Sequence, residues 1–194
     1  MSAGPHSDDG SQRSQPHGPR RSQRSHGSHG SHRGGSSRLG DPLRPSDAFF
    51  LHADSEGARQ YVGGLAVLDP STRPDGRVRL EEIVTRLMAH IDELPRLRQR
   101  LAVPWGGLAR PAWVDAADFQ PRHHLGCSRV PDPGGRHQLE ESVATVMSWP
   151  LDRARPLWHL RLFDGLEGGR QALLIKLHHS IADGIGAMAL ACLL

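Results

Sequence analysis

From residue 43 onward the apolar positions recur with two alternating periods, and each change of period marks a boundary between elements. Ser46 is placed to cap a short helix starting at Asp47, with Ala48, Phe49 and Leu51 on its apolar side and Asp47 favourable at its positive end. Tyr61 to Leu68 is an apolar run containing Gly63 and Gly64, which predicts a strand that another element approaches closely; Asp69, Pro70 and Ser71 end it. Leu80, Ile83, Val84, Leu87 and Ile91 recur at helical spacing and predict a core-facing helix that Pro95 stops. Pro104 to Pro111 is turn-rich, and Trp113, Val114 and Phe119 suggest short strands or an extended crossing segment. His124 to Val130 reads as a weak strand and Pro131 to Gly135 as a loop; Leu139, Val143, Val146 and Met147 then share one face of a helix. Trp158 to Phe163 and Ala172 to Leu177 predict a hairpin around Gly165, Gly168 and Gly169. Strands and helices alternate without strict βαβ regularity, so the expected fold class is α/β in the broad sense, an α+β mixed sheet with helices on it.

The hairpin delivers the chain to its most informative stretch, Leu173 to Leu194. An apolar run stops at His178 and His179; Asp183 and Gly184 follow after three residues, then the Ala/Leu-rich segment Ile185 to Leu194. This reads as strand, tight loop, helix, and a loop at a strand's end presents side chains toward a cleft. An imidazole there is largely neutral at pH 7 and able to accept a proton. Neighbouring residues of an extended strand point to opposite faces, so one histidine faces the cleft and the other packs or hydrogen-bonds in the core. A metal site is not expected, because Asp183 and the His123–His124 pair stand at no recognisable ligand spacing. Ser180 has no base assigned to it and reads as a turn residue.

Composition divides the chain. Residues 1–42 are mostly Ser, Gly, His, Arg, Pro and Gln, with Ser-His-Gly repeats from Ser25 to His32; such a stretch buries too little apolar surface to offset its ordering entropy and is expected to be disordered. Residues 1–40 hold six Arg and two Asp, a balance of +4, whereas residues 41–194 hold 18 basic and 19 acidic groups, a balance of −1. The basic charge therefore belongs to the tail, read as a solvating extension with weak attraction to anionic headgroups as the alternative, and no specific nucleic-acid partner is expected. No apolar core follows the arginines as in a secretory signal, and the longest apolar run is the ten residues Ile185 to Leu194, short of a membrane span. Cys127 and Cys192 show no paired spacing and fit idle thiols of a reducing cytoplasm. Lys176 is the single lysine.

His178 to Gly184, HHSIADG, resembles the HHxxxDG active-site motif of the CoA-dependent acyltransferase superfamily, which includes chloramphenicol acetyltransferase and the condensation domains of peptide synthetases. Arg44 to Glu56, the YVGGLAVLDPS stretch, the LPRLRQRLAVPWGGLARPAWVDAADF stretch and the segment around Pro156, Leu157 and Trp158 are similar, in that order, to the bacterial wax ester synthase/diacylglycerol acyltransferase family. The resemblance runs from about residue 43 to the last residue and implies one chloramphenicol-acetyltransferase-like half of a two-domain fold, with the active site in a tunnel between the halves. The sequence then reaches only the first half, truncated after the motif helix, and a C-terminal half or a second chain is expected to complete the site.

The implied activity moves a fatty acyl group from acyl-CoA to the hydroxyl of diacylglycerol or a long-chain alcohol, directly, with acyl-CoA as substrate and no cofactor. His179 would be the general base and His178 a supporting residue. Asp183 would either shape the loop or orient His179. Gly184 and Gly186 would give the turn and a close approach for substrate, and Trp158 a tunnel-wall or core position. Two alternatives stay open: an inactive remnant that binds lipid or a partner, and a condensation-type enzyme using a carrier-bound thioester. The expected location is the cytoplasm, with peripheral contact to the inner membrane or lipid droplets suggested by such substrates.

Overall fold

The computed structural model describes residues 40–103 and 111–182. The tail up to residue 39, most of the turn-rich stretch from Pro104, and the motif's Asp183, Gly184 and Gly186 with the expected terminal helix lie outside the described residues. Along the described chain the elements are β1 (Asp41–Pro42), α1 (Pro45–Ala53), β2 (Tyr61–Leu68), α2 (Leu80–Ala89), β3 (Gln99–Ala102), β4 (Ala112–Asp115), β5 (Leu125–Arg129), α3 (Arg136–Ser148), β6 (Trp158–Asp164) and β7 (Gln171–His178). Strand β1 starts two residues before the boundary expected at residue 43.

The main sheet has the order β2-β7-β6-β5. β7 pairs antiparallel with β2 and β6, while β5 runs parallel to β6, so the sheet is mixed as expected. A second, antiparallel sheet has the order β1-β4-β3. All eight residues of β7 are buried. Its side chains alternate between two cores: Leu173, Ile175 and Leu177 join Leu51 of α1, Ile83 and Leu87 of α2, and Trp113 of β4 on one face. Ala172 and Leu174 join Leu139 and Val146 of α3 on the other. A strand buried on both faces reads as a continuous apolar run, which is why this segment stood out in the sequence.

Three local expectations change. α1 begins at Pro45, not Asp47, with Arg44 as N-cap; a proline's fixed φ suits the first helical position, and the Ser46 hydroxyl donates instead to the Asp47 carboxylate. The face of α1 that packs carries Leu51, whereas Phe49 is 66% exposed. α2 stops at Ala89 instead of continuing toward Pro95; the chain leaves the helix so that Leu94 and Leu97 turn into the core. The close approach read from Gly63 is made by α3: a side chain there would meet the Met147 sulfur at 3.1 Å. Gly134 lies at φ +75°, and a Cβ would fall 2.1 Å from the Gly165 carbonyl, so the loop before α3 can seat on the β6–β7 turn only as glycine.

Lys176 is the departure that pattern reading missed. It sits inside the apolar run of β7, 1% exposed, and donates to the carbonyls of Val146, Met147 and Trp149 at the end of α3. Its ammonium also lies 4.3 Å from the Tyr61 ring centroid. The last carbonyls of a helix have no partner within the helix, and a cation there satisfies them and the helix dipole together. Burial, with Arg59 adding to it, draws its pKa down to about 8.

Candidate active site

β7 ends at His178, and His179 to Ile181 form one turn of 3-10 helix. The two histidines are therefore separated by the end of the strand and not by its alternation. The backbone of each is tied down on a different side: the His178 amide donates to the Leu157 carbonyl at 2.9 Å and the His179 amide to the Gln60 carbonyl at 2.8 Å.

The His178 ring is 1% exposed. Its Nδ1 accepts the Ser180 backbone N–H at 3.1 Å and faces the Ser180 hydroxyl at 2.8 Å. A backbone N–H can only donate, so Nδ1 is the unprotonated nitrogen and the proton of the neutral ring sits on Nε2. Nε2 has no hydrogen-bond partner among the described residues; the nearest acidic oxygen, Asp54 Oδ2, is 3.9 Å away. Burial pushes the His178 pKa down to about 4, outweighing the Asp54 carboxylate, which pulls the other way. A neutral ring in this position organises the turn and is poorly placed to gain a proton.

His179 is half-buried. Its ring stacks on Phe50 of α1, with centroids 3.7 Å apart and planes 19° from parallel. Its Nδ1 is buried without a hydrogen-bond partner among the described residues. Of the two motif histidines it is the one whose ring is not consumed by the turn.

Asp54, the residue that ends α1, brings a carboxylate to within 3.9 Å of His178 Nε2, and its side chain is 4% exposed. Its Oδ1 accepts the Gln60 N–H at 3.1 Å and its Oδ2 the Arg153 Nη2 at 3.0 Å. Burial works to raise the Asp54 pKa, but the Arg153 and Gln60 hydrogen bonds hold it below the usual carboxylate range. Arg153 also donates to the Leu51 carbonyl at 3.0 Å. A cavity of about 290 Å³ with an apolar wall of Leu43, Leu51, Leu101 and Val103 borders this arginine.

Ser180, His178 and Asp54 stand in the order of a nucleophile relay. The geometry does not support that use: Nδ1 is already taken by the Ser180 amide, Nε2 is beyond hydrogen-bond distance of Asp54, and Ser180 is itself 5% exposed.

Trp158, given above as a tunnel-wall or core position, is 1% exposed and its indole N–H donates to the Leu97 carbonyl at 2.6 Å. It stacks on His124, which is also buried. Both border a separate cavity of about 210 Å³ shared with His159 and Lys176, and neither motif histidine lines that cavity. Burial pushes His159 to about 4 as well. Among the described residues no group of three His, Cys, Asp or Glu is arranged to hold a metal ion. Asp54, Arg153 and Phe50 were missed as site residues although the segments that carried the resemblance, Arg44 to Glu56 and the stretch before Trp158, contain them.

The site thus rests on a mixed sheet whose buried central strand delivers two histidines into a tight turn. The starter condensation domain of rhizomide synthetase RzmA shares this fold, with a TM-score of 0.58 over 79% of this chain and 37% of that chain at 15% identity. Residues 43–193 match the wax ester synthase/diacylglycerol acyltransferase catalytic domain, and the chain belongs to that family. The wax ester synthase/diacylglycerol acyltransferase from Marinobacter aquaeolei VT8 superposes with a TM-score of 0.61 at 30% identity, over 77% of this chain and 37% of that one. Two Mycobacterium tuberculosis proteins, "Probable diacyglycerol O-acyltransferase tgs3" and "Probable diacyglycerol O-acyltransferase tgs2", are each 36% identical, over 76% and 78% of this chain. The chain spans 54% of the length of the first and 33% of the second.

Proposed function

We propose that the chain supplies the base-bearing part of an O-acyltransferase that moves a fatty acyl group from acyl-CoA to an alcohol. The observation that carries this reading is the division of labour at the end of β7. His178 is buried and bound through Nδ1 to the turn, while His179 is half-buried, stacked on Phe50 and free of the turn's hydrogen bonds. In this reading the His179 imidazole takes the hydroxyl proton as the alcohol oxygen attacks the thioester carbonyl. The intermediate collapses by expelling the CoA sulfur, which leaves with the proton from the imidazolium, and the products are the ester and CoA. Transfer is direct, in keeping with the burial of Ser180.

The names of the relatives point to diacylglycerol or a long-chain alcohol as acceptor. In this reading the remaining wall of the site comes from further residues or a second chain. Among the described residues no helix is long and apolar enough to cross a membrane, and the lipid nature of the acceptor favours peripheral contact with a lipid surface.

The test is transfer of labelled palmitoyl-CoA to diacylglycerol or hexadecanol, run on this chain alone and with the C-terminal part of a relative supplied. His179→Ala is expected to reduce turnover by about 100- to 10,000-fold. Turnover retained in a folded His179→Ala protein would remove the base assignment, and a burst of acyl-enzyme would replace direct transfer by a covalent route.

A further inference from the structure

We infer that Asp54, braced by Arg153, is a positioning residue of the motif turn, holding the ring of His178 and the backbone of His179 from the end of α1. Three independent legs run from this one carboxylate. The first reaches His179: Asp54 Oδ1 accepts the Gln60 N–H, and the carbonyl of the same Gln60 accepts the His179 N–H. The second reaches His178: Asp54 Oδ2 stands 3.9 Å from the Nε2 that must carry the ring proton, so the carboxylate favours the ring orientation that leaves Nδ1 for the Ser180 amide. The third is the brace: Arg153 Nη2 binds Oδ2 and the Leu51 carbonyl, fastening the carboxylate to the last turn of the helix whose Phe50 stacks on His179.

The arrangement needs a carboxylate. Gln60 N–H and Arg153 Nη2–H each donate to one of its two oxygens, and the His178 Nε2–H, 3.9 Å away and beyond hydrogen-bond distance, feels the negative charge through space. An asparagine of the same shape has a single acceptor oxygen and turns a donor NH₂ toward at least one of the three. The Asp54 side chain is nearly inaccessible, so water does not readily replace the lost acceptor. The pair therefore links α1, the segment before β6 and the motif turn, three parts of the chain with no local sequence relation.

The catalytic consequence rests on His179 being the base, and the test separates the two ideas. In Asp54→Asn, backbone amide hydrogen exchange is followed by NMR. The His179 and Ser180 amides are expected to exchange at least about tenfold faster, as local opening does when its tethers go, while those of Leu173 and Leu174 in β7 keep their protection. In the transfer assay kcat is expected to fall by about 100-fold, the scale of a sub-ångström to ångström misplacement, with KM for acyl-CoA unchanged. Arg153, whose side chain is 50% exposed, provides the second variant should Asp54→Asn fail to fold. Arg153→Met reproduces the loss of protection, and Arg153→Lys restores part of it. Wild-type protection of both amides in the folded variants overturns the inference. Faster exchange with kcat as in wild type overturns its catalytic part. If the wild-type chain transfers nothing even with the C-terminal part of a relative supplied, the base assignment falls while the exchange data still decide the clamp.

Discussion

Two histidine-bearing regions at the end of the main sheet have been put to opposite uses. At the 210 Å³ cavity, His159 and Lys176 sit opposite each other on β6 and β7, with His124 and Trp158 beside them. There three polar side chains are spent on the fold: Lys176 closes the end of α3, His124 donates to the Trp158 carbonyl, and the Trp158 indole reaches Leu97. Two residues further along β7, His178 is just as buried, yet its hydrogen bonds shape a turn that leaves the next imidazole half-buried on Phe50. Both regions push a histidine to about 4 by burial, so a shifted pKa does not tell them apart. Each also keeps a ring nitrogen without a hydrogen-bond partner among the described residues, His159 Nε2 in the first and His179 Nδ1 in the second; what separates them is that His159 lies within a sheet strand, whereas His179 stands just past a strand's end, in a turn and stacked on Phe50.

The contrast can be broken most forcefully at Lys176. Lys176→Met strips the partner from three carbonyls at the end of α3 and is expected to lower stability by about 3 kcal/mol, read by urea unfolding. If the regions are separate in role, the folded fraction keeps wild-type exchange of the His179 amide. Trp158→Phe is the milder version: it leaves the Leu97 carbonyl without its donor and is expected to cost about 1–2 kcal/mol in the same measurement. A kcat loss in that variant beyond what unfolding explains would return Trp158 to the substrate wall.

The smallest effect concerns pH. His159 and His178 have folded pKa values depressed from 6.5 to about 4, so between those values the unfolded chain binds more protons than the folded one. Stability from both is fully present above pH 6.5 and is lost as pH falls toward 4. His159→Gln should flatten that slope in denaturant midpoints while leaving the rate of acyl transfer at pH 7 unchanged; a slope as steep as wild type would mean that the acid sensitivity lies elsewhere.

Most of the framework was readable along the chain. β2, β7 and α3 follow from period and punctuation, and the histidine pair at a strand's end was visible from the apolar run that stops there. The readings that shifted were set by contacts: Pro45 took the first helical position from Ser46, and Ile91 fell beyond the end of α2 because Leu94 and Leu97 had to turn inward. Lys176 was hidden for the same reason in a stronger form. One charged residue in an apolar run looks like an exception until the carbonyls it closes, 27 to 30 residues earlier, come into view.

The sequence by itself determined where strands and helices run and which dipeptide would sit at the critical bend, because periodicity, proline, glycine and the limits of extended backbone act within a few residues. The tertiary structure alone decided which histidine is buried and neutral and which is left beside Phe50. It also brought Asp54 to Arg153 across 99 residues of chain. Such pairings arise when packing removes water from groups that are strangers in sequence, and in that dry setting an unmatched donor or carboxylate is too costly to leave alone.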